Sequence, residues 1–356
     1  MALHIIEPTL EGPAGHCFSF VQSLCQAAGD HPITVWCGRG AQVDFRAGVR
    51  VKRLFMRRLR RLQALWLYRS LLRQQGRLFV ATAGRTDLLL LNLAANGRIP
   101  PGKVFLYVHW FKTSPAKRRQ LEKLAARQPA ITILAPTESV CAAFRAAGFA
   151  DTRHVPYPIT SLPHPPMPET GQGFRCLLFA GAARHDKGFS HVVGLVELLA
   201  ATGSSIPVCM QTSPQHYAKT DDATSASLVR LEHLVYPHLH RYADTLHQEE
   251  YGALFRGAIC LQLYSRQDFA DRISGVTLDA LSMGSPVITL SGTWMARVVA
   301  EFDAGLVIDS PAPEAILAAA TRIIEEYGEF RRRAFAAGRE LQERNSAAFL
   351  YRELMA

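Results

Sequence analysis

Short apolar runs alternate with longer helical patterns along almost the whole chain. The first half contains the runs LHII, ITVWCG, DLLLLNL, VFLYVHW and AITILAP, and the second half contains RCLLFAGA, IPVCMQTS, LEHLVY, AICLQLY, SPVITL and AGLVID. Stretches with helical spacing lie between them, such as HCFSFVQSLCQAAG and FSHVVGLVELLAATG. Apolar runs that do not alternate with polar residues, each followed by a helix, predict parallel strands joined by right-handed crossovers. The pattern therefore predicts an α/β fold.

The length of the chain and one proline-rich stretch predict two domains. The 356 residues suffice for two domains of about 150–200 residues each. The stretch PYPITSLPHPPMPETGQG contains six prolines, which fit neither a helix interior nor a central strand. We expect a Rossmann-like domain over 1–156, a linker over 157–173, a second Rossmann-like domain over 174–334, and a helix over 335–356 that crosses back to the first domain. Two such sheets would leave a cleft at their carboxyl edges, where ligands of these folds bind.

Positive charge is concentrated in the first half of the chain. Residues 1–170 hold 23 Lys and Arg against 9 Asp and Glu, whereas the remaining residues hold 17 against 21. Residues 50–77, RVKRLFMRRLRRLQALWLYRSLLRQQGR, contain no acid, and their apolar residues recur at three- and four-residue steps. This spacing predicts a basic amphipathic helix. It would either pack as a surface helix on its own domain or contact an anionic membrane or acceptor.

The sequence lacks the signatures of several classes of protein. No apolar run reaches the ~18 residues of a membrane span, and no basic segment precedes the first apolar run as in a signal peptide. The seven cysteines are scattered, so we expect reduced and mostly buried thiols. His233, His238, His240 and His247 lie close together without an H-E-x-x-H motif or a cysteine partner, which disfavours zinc. The hydrolase motif G-x-S-x-G and the phosphate loop G-x-x-x-x-G-K-[ST] are absent. Because membrane-span and signal-peptide patterns are also missing, we expect a cytoplasmic protein.

Two glycine-containing loops are candidate anion sites. The loop EGPAGH follows the first predicted strand and precedes a helix, so that Gly15 would let the backbone approach a ligand. An ordinary strand-to-helix turn is the alternative. In the second loop, Arg184 and Lys187 lie between a strand that ends at Gly181 and a helix that follows Gly188. Two cations and unpaired amides at a helix start suit a diphosphate, and the alternative is an exposed basic loop.

The stretch DRISGVTLDALSMGSPVI, residues 271–288, carries two acids eight positions apart. Ser274 or Gly275 would begin a helix there and offer unpaired backbone amides. Asp279 would lie one turn further along, where a carboxylate can accept hydrogen bonds from two ribose hydroxyls. A solvated Asp on a surface helix is the alternative.

These features together resemble the retaining family-4 glycosyltransferases of the GT-B type, which have two Rossmann-like domains. The resemblance covers nearly the whole chain and is strongest over residues 177–308. The family has an E-x7-E motif that runs into a G-x-P-V turn, and this chain has Asp271 and Asp279 at the acidic positions, each one methylene shorter. The resemblance implies that Asp279 binds the ribose and that Asp271 contacts hydroxyls of the donor sugar. It also implies backbone contacts to the donor from Ser274, Gly275 and Val276.

The G-R…K-G pattern of that family is kept only in part. Lys187 and Gly188 match it, whereas Ala182 stands where the family has an arginine. Arg184, two positions on, is a candidate replacement.

The resemblance also points to an acceptor side in the first domain. His109, at the end of VFLYVHW, matches an acceptor-side histidine near the reaction centre, although a histidine at a strand end is as often structural. Trp110 and Phe111 would form an apolar wall of the acceptor site. The basic residues expected to contact an acceptor or membrane are Arg57, Arg58, Arg60 and Arg61.

The resemblance implies a retaining, hexosyltransferase-like enzyme whose co-substrate is a nucleotide-diphosphate sugar and which needs no metal or resident cofactor. His109, Asp271 and Lys187 would be its catalytic residues. The charge of the first half favours an anionic lipid-linked or glycan acceptor of cell-envelope polysaccharide synthesis, met at the inner face of the plasma membrane, and nucleic acid is not expected as a partner. A sugar-nucleotide epimerase or phosphorylase on the same fold is one alternative. A sugar-nucleotide or lipid binder without turnover is the other, favoured by the shortened acids and the missing arginine.

Overall fold

The computed structural model describes residues 2–13, 16–158, 173–212, 221–244, 246 and 248–356. The chain divides into two compact units. The N-terminal unit comprises Met1–Ser161 together with Arg344–Ala356, and the C-terminal unit comprises Leu162–Glu343. The predicted linker over 157–173 lies mostly outside the described residues.

The N-terminal unit is built on one parallel sheet. Its described strands are β1 Leu3–Ile6, β2 Ile33–Gly38, β3 Val49–Phe55, β4 Arg77–Val80, β5 Val104–Tyr107, β6 Thr132–Ala135 and β7 Thr152–His154. Its helices are α1 His16–Ala27, α2 Arg60–Leu72, α3 Arg85–Ala94, α4 Pro115–Arg127, α5 Glu138–Ala146 and, at the end of the chain, α14 Ala347–Met355. The strand order is β3-β2-β1-β4-β5-β6-β7, with every neighbouring pair parallel, which is the doubly wound order.

Both faces of this sheet are covered, which explains why an inner strand such as β5 is apolar and buried throughout. On β5, Val104 and Leu106 belong to one buried cluster, and Phe105 and Tyr107 belong to the other. The second cluster also holds Leu350 of α14, so the last helix completes the core of the N-terminal unit. The side chains alternate between the two clusters because successive residues of a strand point to opposite faces.

The C-terminal unit repeats the same topology. Its described strands are β8 Cys176–Phe179, β9 Val208–Gln211, β10 Leu239–Tyr242, β11 Ala258–Gln262, β12 Val287–Leu290 and β13 Gly305–Ile308. A single 3-10 turn spans His185–Lys187, and the helices are α6 Phe189–Ala201, α7 Asp222–His233, α8 Gln248–Phe255, α9 Arg266–Phe269, α10 Gly275–Ser282, α11 Trp294–Phe302, α12 Pro313–Glu325 and α13 Tyr327–Arg344. The parallel strands are ordered β10-β9-β8-β11-β12-β13. The predicted α/β fold with two Rossmann-like domains is confirmed.

Two predicted strands are wrong. The run DLLLLNL lies in α3, where Asp87 accepts a hydrogen bond from the Gly84 amide at 2.9 Å and so starts a helix. Its leucines then follow helical spacing, with Leu88 and Leu91 buried. The run LEHLVY begins inside α7, and the strand of that region is β10, a few residues later.

The predicted helix over the basic segment is also corrected. Residues 49–55 form β3, an outer strand of the sheet, and the helix α2 begins only at Arg60. Arg57 and Arg58 therefore lie in the turn between them. The side chain of Gln63 fixes this turn, because it accepts from the Met56 amide at 2.8 Å and donates to the Leu54 carbonyl at 2.9 Å.

The return of the chain to the N-terminal unit begins later than the predicted residue 335. Residues 335–343 belong to α13 and pack within the C-terminal unit. A Cβ atom on Gly338 would lie 2.3 Å from the Leu281 carbonyl oxygen, so α13 meets the chain at the end of α10 in direct backbone contact. Only the segment from Arg344 belongs to the N-terminal unit.

The described helices include none that is long and apolar enough to cross a membrane.

Candidate functional site

The two central strands of the C-terminal sheet, β8 and β11, define its topological switch point, because the chain proceeds from them toward opposite edges. Open α/β sheets bind ligands in the crevice beyond the carboxyl ends of such strands. Gly181 follows β8 there, and Tyr264 follows β11. The amide of Gly181 donates to Gln211 Oε1 at 2.5 Å, which ties the first loop to the end of β9.

The Lys187–Gly188 turn packs directly on the backbone that follows β11. Gly188 has a φ of +76°, and a Cβ atom there would lie 2.2 Å from the Leu263 carbonyl oxygen. The Ser265 amide also donates to the Asp186 carbonyl at 2.9 Å. Only glycine satisfies both the left-handed conformation and the close approach, so the K-G pair of the sequence motif has a structural cause.

The ammonium group of Lys187 is held among the loops of the switch point. Its Nζ lies 3.4 Å from the position that a Cβ atom on Gly181 would take, and 5.7 Å from the centroid of the Tyr264 ring. Burial, followed by the positive charge of Arg184, lowers the pKa of Lys187 to about 8, and Asp186 opposes that shift. The site therefore holds a desolvated cation whose charge is available to an anionic ligand near neutral pH.

Arg184 is engaged within its own turn. Its Nε donates to Asp186 Oδ1 at 2.7 Å, and a second guanidinium nitrogen pairs with the other carboxylate oxygen. This bidentate pair satisfies Asp186 and offsets much of the arginine charge.

The N-terminus of α10 lies at the same place. Ser274 caps the helix, since its hydroxyl accepts from the Thr277 amide at 3.4 Å. The amides of Gly275 and Val276 then belong to the first helical turn, where no intrahelical carbonyl can accept from them. Val276 Cγ2 and Lys187 Nζ both lie 3.4 Å from the Cβ position of Gly181, so these three predicted donor-site elements converge.

Asp279 lies one turn into α10 and faces a tyrosine of α8. The Tyr251 hydroxyl donates to Asp279 Oδ2 at 3.1 Å. Burial raises the pKa of Asp279 to about 6, and the hydrogen bond from Tyr251 lowers it. A carboxylate with one phenol partner keeps capacity to accept from further hydroxyl groups.

Asp271, the other acid of the motif, has a different environment. It is half-exposed and accepts from an Arg297 guanidinium nitrogen of α11 at 2.6 Å. The structure thus separates the two acids into one half-buried carboxylate on α10 and one ion-paired carboxylate on the preceding loop.

A buried acid that sequence reasoning missed marks the switch point of the N-terminal sheet, between β1 and β4. Glu7, 1% exposed, follows β1 and accepts from the Thr9 amide at 3.1 Å and from the Thr9 hydroxyl at 2.5 Å. The Thr82 hydroxyl, after β4, donates to its other carboxylate oxygen. The sequence signal that could have revealed this acid is a charged residue, Glu7, directly after an apolar strand.

His109 follows β5 at the same edge. Its Nε2 lies 2.8 Å from the Ala81 carbonyl oxygen, and because a carbonyl only accepts, this nitrogen carries the proton. The ring contacts those of Phe20, Tyr107 and Tyr157 at centroid distances of 5.1–5.6 Å. The predicted acceptor-side histidine is therefore an oriented residue at the carboxyl edge of the sheet.

The two aromatic residues that follow His109 differ from each other. Trp110 is 54% exposed, as an acceptor wall would require. Phe111 is half-buried and packs against Phe144 at a centroid distance of 5.2 Å, at the border of the core.

Arg57, Arg58, Arg60 and Arg61 are all exposed. Beside them, α2 buries Ala64, Leu67, Tyr68 and Leu71 but leaves Leu62 67% and Trp66 63% exposed. The helix therefore has a packed face and an outer surface that combines arginines with large apolar side chains.

Two further predictions concern the remaining site residues. Gly15 lies outside the described residues. Within the part of the chain that the structure describes, no three His, Cys, Asp or Glu side chains gather into a group that could hold a metal ion, and His247 lies outside that part.

Comparison with known proteins shows the fold. No family model and no curated protein sequence matches the chain. HepE of Anabaena, solved with UDP and glucose, matches with a TM-score of 0.70 and 12% identity over 99% of this chain and 98% of HepE. An α,α-trehalose-phosphate synthase (UDP-forming) from Burkholderia vietnamiensis matches with a TM-score of 0.66 and 14% identity over 99% of this chain and 97% of the synthase.

WaaG, a glycosyltransferase involved in lipopolysaccharide biosynthesis, matches with a TM-score of 0.64 and 12% identity over 99% of this chain and 97% of WaaG. These solved structures share the GT-B fold, and the two-sheet α/β architecture of this chain is of that type.

Proposed function

We propose that the protein is a glycosyltransferase that uses a nucleotide-diphosphate sugar as its donor. The observation that carries this proposal is the convergence of Lys187, the first turn of α10 and the Gly181 loop at the switch point of the C-terminal sheet. A cation beside unpaired helix amides suits a diphosphate. The half-buried carboxylate of Asp279, one turn further along, suits the ribose hydroxyls.

The chemistry follows from the charge that develops on the leaving group. When the bond between sugar and diphosphate breaks, negative charge grows on the phosphate oxygen, and Lys187 with the α10 amides would stabilise it. The acceptor hydroxyl would attack on the face that the diphosphate leaves and pass its proton to the departing oxygen, which retains the anomeric configuration. Asp271 would bind hydroxyls of the donor sugar, and His109 would orient the acceptor. These steps need no metal.

The acceptor side of the proposal rests on the N-terminal unit. Exposed arginines lie beside exposed Leu62 and Trp66 on α2, a combination typical of helices that lie at an anionic membrane surface. We propose that the acceptor is a lipid-linked or glycan chain of the cell envelope, reached at the inner face of the plasma membrane. WaaG is described as acting in lipopolysaccharide biosynthesis, which makes this acceptor class the first to test.

The donor proposal is tested by thermal stabilisation with a panel of nucleotide sugars. A ligand at 100 times its dissociation constant adds ~2.7 kcal/mol to the free energy of unfolding, which raises the melting temperature measurably. HepE was solved with UDP-glucose, so uridine and guanosine diphosphate sugars form the core of the panel. We expect stabilisation by the sugars of one base and none by free sugars. A panel without any stabilising member would contradict the proposal.

A sugar-nucleotide binder without turnover is the second candidate, favoured by the ion pair that engages Asp271 with Arg297. Release of nucleoside diphosphate from the stabilising nucleotide sugar, with an envelope extract as the acceptor source, separates the two. Stabilisation without any release would favour the binder.

A further inference from the structure

The carboxylate of Asp279 is held by a single side chain. The Tyr251 hydroxyl donates to Asp279 Oδ2 at 3.1 Å, and both residues are half-buried. Among the residues that the structure describes, no group donates to the other oxygen, Oδ1, and no cation pairs with the carboxylate. One oxygen is therefore occupied by the phenol, and the other is available to a hydroxyl group of a ligand.

The core of the C-terminal unit fixes the ring of Tyr251. Its centroid lies 5.1 Å from that of Phe255, one turn further along α8, in an edge-to-face contact. Phe255 is fully buried, and α8 packs on β11. Because the ring is held from the core, its hydroxyl has a defined position, and the hydrogen bond orients the carboxylate before any ligand binds.

The helix α8 and the neighbouring strands bring no cation to Asp279. On α8, Glu249 and Glu250 are exposed. β11 contributes Cys260, whose pKa burial raises to about 12, and β12 contributes no titratable side chain. Tyr264, which follows β11, is a phenol whose pKa burial also raises. All of these groups are neutral or negative at neutral pH, so none of them favours the ionised carboxylate.

Two cations lie near the ends of α10. Lys187 lies at the first turn, and Arg331 of α13 lies beyond the last turn, with its Cγ 3.7 Å from the Cβ position of Gly284. In the described part of the chain, neither of them forms an ion pair with Asp279. The group that favours the ionised carboxylate is therefore Tyr251, whose hydrogen bond lowers the pKa that burial raises.

We propose that Tyr251 is a positioning residue of the donor site, whose hydroxyl keeps Asp279 ionised and oriented so that Oδ1 accepts from a hydroxyl group of the nucleotide sugar. This inference rests on the proposed function, because it presumes that Asp279 binds the donor. Tyr251 acts through the carboxylate. A phenylalanine at position 251 would keep the ring and remove only the donor, which makes the charged form of Asp279 less stable.

The experiment measures nucleotide-sugar binding by calorimetry over a series from about pH 5 to pH 8. UDP-glucose and GDP-glucose are titrated into the wild type, Tyr251→Phe, Asp279→Asn and the double variant. Tyr236→Phe is the matched control, because it removes a phenol that donates to the Ile206 carbonyl at 2.6 Å in the same unit. Urea denaturation of every variant measures its stability separately.

We expect Tyr251→Phe to move the acid limb of the profile, where the affinity falls with falling pH, upward by about one pH unit, since a hydrogen bond to a charged group is worth roughly one pKa unit. The affinity should stay within about twofold of the wild type at pH 8 and be about 5- to 10-fold lower at pH 5 to 6. Tyr236→Phe should lose stability without moving the limb. In the Asp279→Asn background, Tyr251→Phe should leave the profile unchanged, because no carboxylate remains to ionise.

Three results would overturn the inference while the proposed function stands. The first is an acid limb that stays at the wild-type pH in Tyr251→Phe, which would make the hydrogen bond purely structural. The second is an equal shift in Tyr236→Phe or in the Asp279→Asn background, and the third is a wild-type profile without an acid limb. A wild type that binds neither UDP-glucose nor GDP-glucose would overturn the proposed function and the inference together.

Discussion

The environment of Asp279 and of Lys187 disfavours the charged form of each side chain, although both are charged at neutral pH. Burial raises the pKa of Asp279 to about 6 from its usual value near 4, so its contribution to folding stability falls as the pH rises toward 6. Burial lowers the pKa of Lys187 to about 8, so its unfavourable contribution is complete below pH 8 and is relieved as the pH rises further. Between these values both groups are charged at a cost to stability, which is typical of functional sites.

The affinity for the nucleotide sugar should therefore follow a bell-shaped pH profile. We expect the association constant to fall below about pH 6, as Asp279 takes up a proton, and above about pH 8, as Lys187 loses one. A nucleotide sugar is a diphosphate diester that does not itself titrate in this range. Calorimetry across a pH series measures the profile. Asp279→Asn should remove the acid limb and Lys187→Arg the alkaline limb, whereas a flat wild-type profile would show that neither group binds the donor.

Gly188 should be indispensable for both stability and donor binding. Gly188→Ala strains a φ of +76° and forces a Cβ atom to within 2.2 Å of the Leu263 carbonyl, so the turn that carries Lys187 must move. We expect the free energy of unfolding, measured by urea denaturation, to fall by ~3 kcal/mol or more, and we expect nucleotide binding to be lost. Gly203→Ala is the matched control, because Gly203 has a φ of +63° with no heavy atom within 4 Å of the Cβ position. Equal costs for the two variants would contradict a specific role for Gly188.

The sequence alone suggested the candidate site residues but not the side chains that they contact. The spacing of Asp271 and Asp279 and the K-G pair could be recognised because they are local in the chain. Tyr251, by contrast, lies 28 residues from the Asp279 that it contacts, and Arg297 lies 26 residues from Asp271. Such contacts depend on the order of strands in the sheet, which no local pattern specifies.

Among the elements, short apolar runs caused the errors of prediction. DLLLLNL is equally compatible with a buried strand and with a short helix, and the hydrogen bond from the Gly84 amide to Asp87 decides for α3. In the basic segment, the seven residues of β3 and the thirteen residues of α2 were predicted as parts of one helix, because arginines occupy exposed positions in both elements. The runs LHII, VFLYVHW, AITILAP and RCLLFAGA contain the buried strands β1, β5, β6 and β8 as predicted, since both faces of the sheets are covered. The central strand β4 was missed.

The exposed surface of α2 should bind anionic membranes. We expect the wild type to bind vesicles that contain anionic lipid at low salt and to dissociate as salt rises, since screening shortens the field to ~10 Å at 0.1 M. Reversal of Arg57, Arg58, Arg60 and Arg61 to Glu should abolish flotation with these vesicles, and Leu62→Ser with Trp66→Ser should weaken it. All of these variants should keep donor binding, which serves as the check on folding.

The matched control for the vesicle experiment lies on α4, which carries four exposed basic residues at the surface of the same unit. Reversal of Arg118, Arg119, Lys123 and Arg127 changes the total charge by the same amount and should leave vesicle binding largely intact. Equal losses from α2 and α4 would indicate a general charge effect. A wild type that ignores anionic vesicles at low salt would show that α2 is structural and that the acceptor is soluble.

At the scale of the whole molecule, the alternation of strands and helices was enough to predict two doubly wound sheets. The unit boundary near the C-terminus could not be predicted, because residues 335–343 and 344–356 have the same helical character and differ only in the unit on which they pack. The topology nevertheless places both candidate regions, since each sheet has one switch point. Lys187 and α10 lie at the one in the C-terminal unit, and Glu7 and Thr82 lie at the one in the N-terminal unit.

The most direct test of the account is a calorimetric titration of the wild type and Asp279→Ala with the nucleotide sugar that stabilises the protein best. We predict one site per chain in the wild type and an affinity about 10- to 100-fold lower in Asp279→Ala, or ~1–3 kcal/mol for hydroxyl partners left unmet. Asp309→Ala, which removes an exposed carboxylate from the same unit, should bind as the wild type does. Equal affinity in wild type and Asp279→Ala, or no binding to either, would contradict the assignment of a nucleotide-sugar site to the C-terminal unit.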